Sequence, residues 1–171
     1  MNFESPEERL AYEVANYYHR MQTRKYTGEP YVTHCVAVSE IVKSVPHNIL
    51  MPIAAMLHDT LEDTDINRVV IQMMFGQSVY YLVWALTHVD AAHLPRQERK
   101  ALDRDKLSNA SADAQTIKLA DMINNTATIV PCDPKFSKVY LPEMRMLLGA
   151  LNKGNRQLWN DMDEKLKSLG Y

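Results

Sequence analysis

The chain has 171 residues, with 19 basic and 21 acidic side chains and a formal charge of −2. This length is typical of one domain, which we expect to span residues 1–171, and a hydrophobic content of 46% is enough to fill its core. Because no strongly basic run occurs, the sequence argues against nucleic acid or an anionic membrane as a partner.

The N-terminal residues and the cysteines indicate the compartment. Residues 1–8 contain neither the basic nor the apolar segment of a signal peptide, and no stretch approaches about 18 uninterrupted apolar residues. The two cysteines, Cys35 and Cys132, match no disulfide or zinc-ligand spacing. We therefore expect a cytoplasmic protein.

Apolar residues recur at helical spacing along the chain, and no convincing alternating strand is present. Ser5, Pro6 and Glu8 predict the start of a first helix that ends near Gln22. This pattern predicts an all-α fold, a single compact bundle of about eight helices. The first helix is followed by a predicted loop at 24–30. Further helices are predicted over 31–43 and 49–63, over a segment that Asp65 caps and a turn at Gly76 ends, and over 79–86. A long polar stretch, 87–109, contains a predicted loop at 91–95 and a helical portion at 99–102. The last predicted helices span 111–130, 136–151 and 156–169.

One segment, His58-Asp59-Thr60-Leu61-Glu62-Asp63, collects groups that could carry chemistry. On a helix His58 faces Glu62, and Asp59 faces both Glu62 and Asp63, because residues three and four apart are neighbours. Like charges at this spacing repel, and the preceding residues are apolar, so a divalent cation would compensate them. Alternatively, the acidic run is a solvated helix end and His58 is an ordinary core histidine.

Two distant residues favour the metal interpretation. His34 lies on the predicted second helix, and Asp121 interrupts an otherwise apolar helix. An aspartate that is buried among apolar residues needs a partner.

The order of these residues carries a resemblance. His34, the pair His58-Asp59 and Asp121 match the ordered metal ligands of the HD superfamily of phosphohydrolases. From about residue 15 to 128, the chain more narrowly resembles the hydrolase domain of RelA/SpoT-type proteins. The matching segments are Arg24-Lys25, Gly28 to His34, His58 to Thr64, Phe75-Gly76 and Lys118 to Asp121.

The resemblance implies an HD-domain helical bundle with a bound Mn²⁺ or another first-row divalent ion. It implies removal of the 3′-pyrophosphate from guanosine tetra- or pentaphosphate (ppGpp or pppGpp), as in the single-domain small alarmone hydrolases. We accordingly expect a small nucleotide as substrate and the degrading activity alone. The implied metal ligands are His34, His58, Asp59 and Asp121, and the implied catalytic residues are Glu62 and Asp63.

Substrate contacts are also implied by the family, whereas some residues suit packing better. His19 matches a family position, but we interpret it as structural. We expect Tyr31 to shape the pocket, and Lys138 and Tyr140 to close it from a later helix. The positions that the family assigns to the substrate are Arg24, Lys25, Asn125 and Thr128.

Three departures from the family soften the positive charge expected near the phosphates. Met122 and Ala127 stand where basic residues are common, and His88 stands where lysine is typical. They motivate an alternative substrate, such as an adenosine alarmone or the 2′-phosphate of NADPH. A non-catalytic nucleotide-binding or interaction module is an alternative of a different class.

Overall fold

The computed structural model describes residues 2–171 and divides the chain into two compact units, one ending at Thr87 and one covering His88–Tyr171. We call them the N-terminal and the C-terminal unit. The expectation of an all-helical fold is confirmed: no strand occurs among residues 2–171, and one isolated bridge pairs Thr23 with Pro30. A single domain over 1–171 stays a prediction.

Within residues 2–171 the helix count agrees with the prediction, since eight helices have eight residues or more and a ninth is a single four-residue turn. The N-terminal unit contains α1 (Pro6–Tyr18), α2 (Val32–Lys43), α3 (Leu50–Leu57), α4 (Thr60–Asp63) and α5 (Arg68–Leu86). The C-terminal unit contains α6 (Arg96–Asn109), α7 (Ala112–Cys132), α8 (Pro134–Ala150) and α9 (Arg156–Ser168).

Helix α3 is the centre of the N-terminal unit. It packs against α1, α2 and α5, and every side chain from Met51 to Leu57 is buried. Burying apolar side chains on all sides of a helix stabilises it by roughly 1.5–3 kcal/mol for each large residue. His58, which follows directly, is therefore held at the end of the most deeply buried helix of this unit.

The start of α1 is confirmed and its end is earlier than predicted. The Ser5 side chain accepts a hydrogen bond from the Glu8 amide, and the Glu8 carboxylate accepts one from the Glu4 amide. The helix ends at Tyr18 because the chain turns tightly there, with the Gln22 amide donating to the His19 carbonyl. The side chains of His19 and Gln22 thereby leave the helix surface and become available to the site described below.

The prediction of one helix from 49 to 63 is wrong. Helix α3 ends at Leu57 and α4 begins at Thr60. Local side chains take over main-chain acceptors at the break: the His58 ring bonds the Ala55 carbonyl, and the Thr60 hydroxyl donates to the Leu57 carbonyl. Polar side chains that bond nearby backbone in this way compete with the regular helical pattern.

Gly76 interrupts α5, as the sequence predicts. Its φ of 82° and ψ of 168° are not helical, so α5 consists of two helical segments. The cap, however, is Asn67 rather than Asp65, because the Asn67 side chain accepts from the Val69 amide. By length and composition alone, α5 is the one helix within residues 2–171 that could cross a bilayer, but the break at Gly76 leaves no continuous spanning helix.

Replacing Gly76 by alanine is expected to lower the free energy of unfolding by about 1–3 kcal/mol, because an L side chain is strained at this backbone geometry. A Cβ atom at Gly76 would contact nothing within 4 Å, so strain alone is tested. Gly149 is the matched control: it lies within α8, its Cβ would also meet open space, and alanine there should stabilise by about 0.5–1 kcal/mol. Urea unfolding of both variants measures the difference, and equal stabilities would contradict the prediction.

Candidate metal and nucleotide site

Two histidines and a carboxylate meet in the N-terminal unit. His34 on α2 and His58 after α3 are buried, and their rings lie 5.1 Å apart between centroids. The Oδ2 atom of Asp59 lies 3.0 Å from His58 Nε2 and 3.5 Å from His34 Nε2. The break between α3 and α4 thus places both imidazoles against one carboxylate oxygen.

The hydrogen bonding of His58 determines which of its nitrogens can bind a metal. Its Nδ1 atom lies 2.8 Å from the Ala55 carbonyl, which can only accept, so Nδ1 carries the proton. A neutral ring then presents the Nε2 lone pair to the Asp59 oxygen, and two acceptors at 3.0 Å repel unless a cation lies between them. Metal-ligating histidines commonly donate their other N–H to a backbone carbonyl. The donor set fits a divalent ion.

Tyr31 connects this cluster to Glu62 and Asp63 on α4, which we call the acidic turn. Its hydroxyl donates to Asp59 Oδ2 at 2.6 Å and lies 3.5 Å from Asp63 Oδ2. Burial, followed by the charge of Asp59, raises the pKa of Tyr31, so the hydroxyl keeps its proton. The buried ring of His19 stacks on Tyr31 with 4.7 Å between centroids, which agrees with a structural role for His19.

The carboxyl of Asp63 has a raised pKa. Partial desolvation, together with the charges of Asp59 and Glu62, raises that pKa to about 6. Its carbonyl accepts from the Gln22 side chain at 2.6 Å, and Gln22 in turn bonds His19 Nδ1 at 2.7 Å. Sequence reasoning missed Gln22, and no pattern in the sequence distinguishes it from other polar residues after α1.

The two predicted substrate cations of this unit lie on the loop between α1 and α2. The guanidinium of Arg24 lies 6.0 Å from the centroid of the Tyr31 ring, on the same residue that bonds Asp59. The ammonium of Lys25 lies over the Tyr26 ring, 4.7 Å from its centroid, and bonds the Tyr26 hydroxyl. Arg24 is therefore the more closely associated of the two with the histidine cluster.

The variant Tyr31→Phe is expected to bind a divalent metal about 10- to 100-fold more weakly, because a hydrogen bond that orients a ligating carboxylate is lost. The aromatic ring and its stacking on His19 are kept, so the fold should remain intact. Titration with Mn²⁺ of the metal-free protein measures the change. Tyr26→Phe is the control, because it removes a tyrosine hydroxyl that accepts a hydrogen bond from the exposed Lys25. Equal affinities for wild type and Tyr31→Phe would contradict a positioning role.

Asp121, on α7 of the C-terminal unit, is buried with partners for both oxygens. Lys118 donates to Oδ2 at 2.7 Å and Asn125 donates to Oδ1 at 2.6 Å. Both partners lie on α7, three residues before and four residues after Asp121, where helical residues face one another. The partner that a buried aspartate requires is thus supplied by its own helix.

A cavity of about 160 Å³ in the C-terminal unit brings several predicted residues together. Asp121, Asn125 and Tyr140 line it, and the buried Tyr140 hydroxyl lies 3.3 Å from the Thr126 hydroxyl. Thr128 does not line this cavity, and Lys138 lines an adjacent groove.

Helix α6 contributes cations that sequence reasoning missed. Lys100 and Arg104 line the cavity together with Lys118 of α7. Arg96, Lys100 and Arg104 follow one another at intervals of four residues, so they share one face of the helix. That spacing is the signal that would have identified them.

His88, one of the three departures from the family, is bound to an aspartate. His88 Nδ1 lies 2.9 Å from Asp103 Oδ2, and the Val89 amide donates to Oδ1. Although burial opposes ionisation, these bonds lower the pKa of Asp103 to about 2. The Asp103 carboxylate therefore offsets part of the positive charge that Lys100 brings to the cavity.

Comparison with known proteins agrees with the motif set. The chain matches the HD domain family over residues 11–139. It is 34% identical to the Homo sapiens guanosine-3′,5′-bis(diphosphate) 3′-pyrophosphohydrolase MESH1 over 155 residues, 88% of this chain and 86% of the relative. Over 125 residues it is 36% identical to the bifunctional (p)ppGpp synthase/hydrolase SpoT of Escherichia coli, covering 71% of this chain and 18% of SpoT.

A solved structure gives the same result at the level of the fold. It is the structure of a metazoan ortholog of SpoT that hydrolyzes ppGpp and plays a role in starvation responses. It matches this chain with a TM-score of 0.88 at 29% identity, covering 99% of both chains. With the ordered His34, His58-Asp59 and Asp121 set, these matches show that the chain belongs to the HD domain family and, within it, to the same family as the MESH1 proteins.

Proposed function

We propose that this protein is a metal-dependent hydrolase that removes the 3′-pyrophosphate from guanosine-3′,5′-bis(diphosphate) in the cytoplasm. The observation that carries the proposal is the cluster of His34, His58 and Asp59 beside the protonatable Asp63, in a chain of the MESH1 family. The products would be GDP and pyrophosphate, or GTP and pyrophosphate from the pentaphosphate.

The HD family implies a divalent metal, and we propose Mn²⁺ or a similar first-row ion. We assign His34, His58, Asp59 and Asp121 as its ligands, because two imidazoles and two carboxylates form a mixed nitrogen and oxygen set. When bound, the ion would lower the pKa of a coordinated water and neutralise charge that develops on the phosphate.

The acidic turn would move the protons. Water adds through its oxygen to the phosphorus nearest the ribose, and the bond from that phosphorus to O3′ breaks. In this scheme the Asp63 carboxylate accepts the proton of the attacking water, and Glu62 assists in orienting that water. A proton then returns to O3′ of the leaving nucleoside. A base with a pKa of about 6 is suited to this task near neutral pH.

We assign some of the proposed substrate contacts to residues of the N-terminal unit and the others to residues of the C-terminal unit. We assign Arg24 and Lys25 to the phosphates, with Tyr31 shaping the pocket between them and the histidines. In the C-terminal unit, Asn125 and Tyr140 line one cavity, which supports Asn125 as a contact to the nucleoside and Tyr140 as a residue that closes the pocket. Thr128 and Lys138 complete the proposed set of substrate-binding residues.

The decisive experiment is a turnover panel with metal-reconstituted protein. With Mn²⁺, pyrophosphate should be released from ppGpp with a kcat/KM higher than that for hydrolysis of an adenosine alarmone or of NADPH. No pyrophosphate release from ppGpp at micromolar enzyme would overturn the proposal.

The reduced charge at Met122, Ala127 and His88 supports one second candidate, hydrolysis of another nucleotide. His88 is engaged with Asp103, so this position does not offer a free cation to a phosphate. A higher kcat/KM for NADPH or for an adenosine alarmone would establish this alternative. Metal-dependent nucleotide binding without any turnover would identify a non-catalytic module instead.

A further inference from the structure

Gln22 lies at the base of the loop between α1 and α2, and its main chain is fixed there on both sides. Its amide donates to the His19 carbonyl at 2.8 Å, and its carbonyl accepts from the Tyr31 amide at 3.0 Å. Directly after it, Thr23 pairs with Pro30. The side chain of Gln22 therefore starts from a well-defined point in the N-terminal unit.

The half-buried side chain of Gln22 reaches from this base to the acidic turn. Its Nε2 atom donates to the Asp63 carbonyl at 2.6 Å, 41 positions further along the chain. Asp63 is the last residue of α4, and the last carbonyls of a helix have no partner within the helix. Because α4 is a single turn, which is not stable alone, its position depends on contacts of this kind from elsewhere in the unit.

The orientation of the Gln22 carboxamide is determined by its two partners. The Asp63 carbonyl can only accept, so Nε2 faces it and Oε1 faces His19 Nδ1 at 2.7 Å. His19 must then donate from Nδ1. The His19 ring is 1% exposed and stacks on Tyr31. A buried ring thus holds the carboxamide in the one orientation in which it can donate to Asp63.

Gln22 and Tyr31 contact Asp63 at different atoms. The Tyr31 hydroxyl lies 3.5 Å from the Asp63 carboxyl, whereas Gln22 bonds the main-chain carbonyl. The Tyr31 main chain is itself bonded to Gln22, and the Tyr31 hydroxyl bonds Asp59. The direction of the Asp63 carboxyl relative to Tyr31 and Asp59 therefore depends on Gln22.

Building on the proposed function, we propose that Gln22 is a positioning residue for the acidic turn. Its carboxamide, oriented by His19, fixes the main chain of Asp63 and so directs the Asp63 carboxyl at the attacking water. Gln22 acts through Asp63 rather than on the substrate.

Gln22→Met is the first test, because methionine keeps the approximate length of the side chain and removes both hydrogen bonds. On ppGpp kcat should fall about 10- to 100-fold, since a misplacement of about 1 Å at a reacting group has an effect of this size. KM should stay within about threefold, because the lost interaction acts in the transition state. A wild-type kcat, or a loss that occurs in KM alone, would overturn the positioning role.

Gln22→Glu separates the two hydrogen bonds. Glutamate keeps an oxygen for His19 Nδ1 but brings no donor to the Asp63 carbonyl. We expect kcat to be as low as in Gln22→Met, and a wild-type kcat would overturn the assignment to Asp63. Gln72→Met is the matched control: it removes a carboxamide of the same unit that donates to Gln77 on α5, and kcat should stay within about twofold.

A double variant tests whether Gln22 acts through Asp63. In an Asp63→Asn background, Gln22→Met should lower kcat by less than about a further threefold, because residues that act as a unit are not additive. The full loss in this background would overturn the proposal, since Gln22 would then act on another part of the fold.

Hydrogen exchange of the metal-free protein separates this inference from the proposed function. The amides of Glu62 and Asp63 both donate to the Asp59 carbonyl. They should exchange at least about 10-fold faster in Gln22→Met than in wild type, whereas the amides of α3 should keep their rates. Unchanged exchange would overturn the positioning role even in an enzyme that hydrolyses ppGpp. A wild type that turns over no ppGpp but shows this Gln22-dependent protection would overturn the proposed function alone.

Discussion

Replacing Asp63 by asparagine is expected to lower kcat on ppGpp by about 100- to 10,000-fold, because positioned acid–base groups contribute effects of this size. The amide has nearly the same shape as the carboxyl but cannot accept the proton of an attacking water. The Asp63 carbonyl that accepts from Gln22 is unaffected, so the contact to the end of α1 is kept. KM should change little, since the lost interaction is made in the transition state.

Glu62→Gln tests the second acidic residue of the turn. We expect a loss of kcat in the same range with unchanged metal content, because the predicted ligands remain. Asp65→Asn is the control: this exposed carboxylate lies two residues after Asp63 and outside α4, and its neutralisation should leave kcat within about twofold. Wild-type kcat in Asp63→Asn would remove Asp63 from the proposed mechanism.

Much of the helical arrangement could be predicted from local signals. Ser5 and Ser111 each cap a helix at a predicted start, and Gly76 breaks α5 where predicted. The break between α3 and α4 could not be predicted in this way, because it depends on hydrogen bonds from His58 and Thr60 to nearby carbonyls. The periodicity of apolar residues indicates which side chains are buried. It does not indicate which backbone carbonyl a polar side chain will bond.

The same distinction applies to the site. His34, His58 and Asp59 could be named from their order in the chain, and the structure brings these three together. The bond from Tyr31 to Asp59 spans 28 positions and leaves no local signature. Arg104 was missed for another reason. Charged residues on a helix are usually solvated, whereas Arg104 lines a cavity and a groove that residues of α8 complete.

The variant His58→Ala is expected to lose its metal and with it at least about 1,000-fold in kcat/KM, because the ion carries several kcal/mol of transition-state stabilisation. The side chain also bonds the Ala55 carbonyl, so the variant should be less stable by about 1 kcal/mol even without metal. A second readout therefore separates metal loss from this structural cost. Mn²⁺ at about 100 times its Kd should stabilise wild type by about 2.7 kcal/mol, and the variant by much less.

Metal removal from wild type should reproduce the catalytic loss without any mutation. Chelation followed by dialysis should abolish turnover, and added Mn²⁺ should restore it, whereas restored metal should not rescue His58→Ala. His93→Ala is the control, because His93 is exposed on the loop before α6 and should leave metal content and Mn²⁺-dependent stabilisation unchanged. A His58→Ala protein that still gains wild-type stability from Mn²⁺ would show that the ion binds elsewhere. His34 and Asp59 would then also lose their assignment, since both are placed against the same imidazole.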